Sequence, residues 1–96
     1  MYTLIVDLIK PVDEVNKLAK EHGVWVKQQV DRGIFLLAGP KRSGLGGVTL
    51  TKSMDKGQLK TLLASDPYLI EDVAEYQIID FDCKLTAHSL SKLQHI

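Results

Sequence analysis

The chain has 96 residues, 45% of them hydrophobic and 25% charged, which suits one compact domain with a modest core. Its 12 basic side chains offset 12 acidic ones, so it lacks the global field that holds a nucleic-acid backbone or an anionic membrane surface, and neither is an expected partner. A single cysteine, Cys83, excludes an intrachain disulfide and a cysteine zinc cluster, and fits a reducing, cytoplasmic location.

The first element, YTLIVDLI, is rich in β-branched and aliphatic residues and stops at Lys10-Pro11. It reads as a strand and not as a signal peptide, having no basic leader and no small-residue cleavage site. No later stretch is long and apolar enough to span a bilayer. From Val12 the period changes: Val15, Leu18, Ala19, His22, Trp25, Val26, Gln29 and Val30 fall at three- and four-residue steps, predicting one amphipathic helix that ends at Gly33. His22 lies within the apolar stripe. IFLLA and VTLT then read as two strands flanking the glycine-rich segment Gly39 to Gly47. Asp55 and Gln58 have capping-box spacing before a helix carrying Leu59, Leu62 and Leu63, and Asp66-Pro67 reads as the cap and first residue of a further turn. The final strand is expected over Ala74 to Leu85, with Ile79, Phe81, Cys83 and Leu85 on one face and Asp80, Asp82 and Lys84 on the other. Residues 86–96 read as a loosely held tail beyond a domain of residues 1–85.

The order β, α, β, β, α, β predicts an α+β, ferredoxin-like domain with an antiparallel sheet and both helices on one face. IFLLA is apolar at every position and the first strand is apolar on both sides, yet two helices can cover only one face. A homodimer, with a second copy burying the open face, is the simplest remedy.

The segment GPKRSGLGG fits no nucleotide cradle. In a P-loop, Lys and Ser or Thr follow the second glycine, whereas Gly44 is followed by Leu45. A dinucleotide fingerprint opens a helix, whereas the next element here is a strand. A long hairpin loop remains, with Pro40 halting strand pairing and glycines supplying positive φ. Lys41 and Arg42 either keep that loop soluble or meet an anion.

His22, Gly33, LLAGP, GGVTL, DPY and AEYQIIDF follow one another in an order and spacing that resemble the YciI-like, or YCII-related, family, over roughly Tyr2 to Leu85. The resemblance implies a dimeric α+β barrel similar to muconolactone isomerase, and a site containing His22 and Asp66. At Gly23 the sequence departs from the family, which often has a larger apolar residue directly after the histidine. An imidazole near neutral pH can take or give a proton, and a carboxylate on its other nitrogen selects the tautomer and stabilises the charged form. His22 would be the acid or base and Asp66 its orienter, although a half-buried structural histidine and a simple helix cap also account for the two residues. Tyr68, with Trp25 and Tyr76, either lines a pocket or belongs to the core. His88 and His95 have no metal-ligand spacing, and no metal or other cofactor is implied.

Two functions are consistent with these residues. One is proton transfer or elimination on a small cyclic or phenolic molecule, with His22 and Asp66 catalytic, Tyr68 and Gly39 lining the site, and the loop around Arg42 closing it. The other is a dimeric small-molecule-binding or accessory module without turnover. A cofactor-free oxygenase is a third, resting on fold analogy alone.

Overall fold

A computed structural model describes residues 1–96. Four strands, β1 (Tyr2–Leu8), β2 (Phe35–Pro40), β3 (Gly46–Thr51) and β4 (Ala74–Asp80), form one antiparallel sheet in the order β2-β3-β1-β4. Helices α1 (Val12–Asn16) and α2 (Ala19–Asp31) connect β1 to β2, and α3 (Lys56–Leu63) and α4 (Pro67–Ile70) connect β3 to β4. This is the expected α+β, ferredoxin-like arrangement.

Register assigns the two sheet faces. Tyr2, Leu4 and Val6 of β1 lie level with Thr51, Thr49 and Gly47 of β3 and with Asp80, Ile78 and Tyr76 of β4, and this face carries the core. Leu4, Phe35 and Leu59 are almost wholly buried there with Trp25 and Leu63, and each such side chain stabilises the fold by about 1.5–3 kcal/mol. Trp25 meets Phe35 edge-on, and its indole N–H donates to Ser65 Oγ at 2.9 Å, which ties α2 to the end of α3. On the other face Ile5 and Leu50 are half-buried, while Leu37, Val48 and Ile79 are 55%, 39% and 42% exposed. The two-sided apolar pattern therefore leaves an uncovered apolar sheet face within one chain.

Four expectations change. The helix from Val12 is two helices, because the Leu18 amide donates to Val15, three residues back, and tightens the chain into a turn before α2 starts. α2 then ends as expected. Gly33 has φ +73°, its amide reaches the Val30 carbonyl and the Ile34 amide reaches Gln29, a Schellman closure with Ile34 buried beyond it. The loop between β2 and β3 is short and not long: Pro40 still pairs with Gly47, and the Lys41 amide donates to Gly46. Gly46 makes this possible, since a Cβ there would lie 1.8 Å from the Val6 carbonyl oxygen.

The last strand stops at Asp80 although its alternation runs on to Leu85, because Tyr2, the first residue of β1, is opposite Asp80. Strand structure needs a partner, and beyond Asp80 Phe81 alone finds one, its amide donating to the Met1 carbonyl and its carbonyl accepting from the Met1 nitrogen. Finally, the tail forms a 3₁₀ helix over His88–His95. The Ile96 carbonyl accepts from the Ser53 amide and hydroxyl, and Gln94 Nε2 donates to the Lys84 carbonyl, so the tail is docked although its side chains are mostly exposed. No helix is long and apolar enough to cross a membrane.

Candidate functional site

His22 and Asp66, 44 residues apart, meet where α2 passes the start of α4. The cause is local on both sides. Asp66 is the N-cap of α4, extended at φ −66°, ψ 126°, and its Oδ1 accepts from the Tyr68 amide at 2.9 Å. Pro67 supplies the first helical φ and needs no partner for its nitrogen. His22 occupies the sheet-facing side of α2, and its Nδ1 lies 2.7 Å from the same Oδ1.

A third donor was not anticipated as such. Tyr76, on the helix-covered face of β4 opposite Val6, donates its hydroxyl to Asp66 Oδ2 at 2.7 Å. Asp66 thus has no exposed surface and three donors at its two oxygens. An ionised carboxylate only accepts, so the imidazole hydrogen sits on Nδ1 and Nε2 is the nitrogen left to a ligand. Burial pushes the Tyr76 hydroxyl far above the ordinary phenol range, with the Asp66 charge and hydrogen bond adding to it, so Tyr76 remains a donor.

The His22 ring is also held from the side. Tyr68 stacks on it with ring centroids 3.8 Å apart and planes within 3° of parallel, and Trp25 lies 6.2 Å away at 29°. Burial, then the Asp66 charge, raises the Tyr68 hydroxyl, which therefore keeps its proton near neutral pH. The imidazole is 20% exposed, enough for Nε2 to meet a small molecule.

A cavity of about 360 Å³ opens beside it, between α2, the β2–β3 hairpin and α4. That is the low end of the usual range for small-molecule pockets, about 300–1,000 Å³. Val6, Leu8 and Val26 supply apolar wall, Gly39, Gly46 and Gly47 supply backbone, and His22, Thr49, Tyr68 and Tyr76 supply polar atoms. No lysine or arginine lines it.

Of the residues singled out in sequence, the structure brings together His22, Asp66 and Tyr68 and puts Gly39 in the cavity wall. Arg42 is different. It is exposed in the tight turn Lys41–Leu45 and does not line the cavity, while its neighbour Lys41 is drawn to Asp7 by an ion pair. Thr49 and Gly23 line the cavity unannounced. The alternation of VTLT with Thr49 and Thr51 on one face was the available signal, but which face the helices cover is settled by packing. No three His, Cys, Asp or Glu side chains come together as a metal site.

The fold and this site define an α+β sandwich of one sheet and one helical layer, with a buried-carboxylate histidine at a small cavity. Compared with known proteins, the chain matches no protein-family model and no curated sequence.

Proposed function

We propose that this chain is a small enzyme that moves a proton to or from a compact cyclic or phenolic molecule, with His22 Nε2 as the acid or base. The observation that carries the reading is the 2.7 Å contact of Nδ1 with a carboxylate that has no exposed surface. When Nε2 takes a proton, the imidazolium forms against the Asp66 charge, so the ring is oriented beforehand and stabilised afterwards. Elimination follows the same course, the proton going to Nε2 as the substrate expels its leaving group. The ordered motifs from His22 to AEYQIIDF, similar to YciI-like proteins, support the same assignment, as does a cavity of ligand size.

A homodimer of the α+β-barrel type belongs to this proposal. Its support is the apolar sheet face carrying Leu37, Val48 and Ile79, which the helices on the opposite face cannot cover. A cytoplasmic location fits the single free cysteine.

The alternative, a non-catalytic small-molecule-binding or accessory module, draws on the rigid clamping of His22 between Asp66 and Tyr68, since the same contacts would fix a ligand-binding imidazole. Product formation decides between them. The wild-type protein is screened against lactones, quinols and halogenated phenols beside His22→Gln, whose amide can still donate to Asp66. Loss of a general acid or base lowers turnover about 10²- to 10⁴-fold. Equal turnover by His22→Gln refutes the enzymatic assignment, and saturable binding without product favours the binding module. Nitrogen-15 NMR of the imidazole checks the site directly, with the hydrogen expected on Nδ1.

A further inference from the structure

Seven side chains with a hydrogen-bonding group are at least nine-tenths buried, and five of them are satisfied within the chain. Tyr2 donates to the Met54 carbonyl, Trp25 to Ser65, Gln29 to the Trp25 carbonyl, Thr51 to the Lys52 carbonyl, and Asp66 takes its three donors. The other two are Thr49, 6% exposed, and Tyr68, 9% exposed, whose hydroxyls bond to no group of the chain. Both residues line the cavity beside His22. Neither oxygen is sealed from solvent, since no fully buried side-chain oxygen or nitrogen lacks a partner. Both hydroxyls therefore stand open to one cavity with hydrogen-bonding capacity that no group of the chain uses, which leaves it to a molecule from outside.

We infer that the Thr49 and Tyr68 hydroxyls recognise the ligand by hydrogen-bonding oxygen substituents of a small ring, carbonyl or phenolic. The remaining surroundings narrow the class. Val6, Leu8 and Val26 offer apolar contact to a ring, and the glycine backbone of the hairpin leaves room for it. The wall has no lysine or arginine, and an imidazolium at His22 is already paired with Asp66, so a phosphate ester would be desolvated against little compensating charge and the ligand is neutral or carries at most one delocalised charge. The inference rests on the proposal that the cavity holds a small molecule, and it is independent of turnover.

The test titrates benzene, phenol, resorcinol and phenyl phosphate into the full-length protein, read from the His22 and Tyr68 ring resonances. Resorcinol is expected to bind more tightly than phenol, phenol more tightly than benzene, and phenyl phosphate more weakly than phenol. Thr49→Val and Tyr68→Phe keep the shapes of the two side chains and remove the hydroxyls. Each should weaken resorcinol about 10-fold, equivalent to about 1.4 kcal/mol, while leaving benzene unchanged. Without ligand, each variant should melt within about 3 °C of the wild type or above it, because no intramolecular hydrogen bond is lost. Unchanged resorcinol affinity in both variants, or a marked fall in melting temperature on removing either hydroxyl, overturns the inference. Hydroxyl-dependent binding with no turnover on any substrate leaves it standing and removes the enzymatic proposal, whereas no saturable binding of any probe overturns both.

Discussion

Tyr76→Phe isolates the support beneath His22 with the smallest chemical change available. The substitution keeps the ring and removes the oxygen that donates to Asp66 Oδ2 at 2.7 Å, leaving two donors on a carboxylate with no solvent contact. A hydrogen bond to a charged group contributes about 1.5–3 kcal/mol, and little further cavity opens, so a loss of about 2 kcal/mol is expected at pH 7. In a domain of this size that lowers the melting temperature by about 8–16 °C. Alkaline pH supplies a second, opposite signature. Burial and the Asp66 charge raise the Tyr76 hydroxyl in the fold, so the unfolded chain releases this proton above about pH 10 while the folded chain retains it. Its stabilising effect is complete below that pH and falls by about 1.4 kcal/mol for each unit above it. The gap between wild type and variant should therefore narrow between pH 10 and pH 11. Urea titrations followed by circular dichroism at pH 7, 10 and 11 measure both effects. A variant within about 0.5 kcal/mol of the wild type at pH 7, with a gap indifferent to pH, refutes the idea that Tyr76 holds the carboxylate.

Gly23→Ala should stabilise the protein by about 1 kcal/mol, because Gly23 lies inside α2 with nothing within 4 Å of the added carbon; thermal melts check this, and a destabilised variant contradicts the geometry. Gly46→Ala should cost about 3 kcal/mol, since the new carbon meets the Val6 carbonyl oxygen at 1.8 Å and φ is +137°, and hydrogen exchange should then rise first in the β2–β3 hairpin. Light scattering should find a dimer that Val48→Asp converts to a folded monomer; a wild-type monomer at micromolar concentration removes the argument from the open sheet face. Arg42→Ala should leave ligand affinity unchanged by titration, as the side chain stands outside the cavity wall, and a large loss would place the loop in the site after all.

Local chemistry alone determined much of this molecule. Asp55 and Asp66 announce their helices because a short carboxylate before a helical run can satisfy an otherwise free amide, and the structure has them bonded to the Gln58 and Tyr68 amides. Gly33 ends α2 because its left-handed φ suits a residue without a Cβ. The element order and the two-sided apolar strands likewise follow from periodicity, which is a property of neighbours in the chain. What tertiary structure decided depends on distant partners. β4 ends at Asp80, and not at Leu85, because β1 begins at Tyr2; nothing in residues 81–85 announces that limit. Arg42 faces solvent because the hairpin closes tightly at Gly46 against β1. The site itself is the plainest case: His22 on one helix, the cap of another and Tyr76 on an edge strand become three points of one hydrogen-bonded group only when both helices lie on the same face of the sheet. Sequence periodicity reports which side of an element is apolar, whereas packing alone chooses what that side meets.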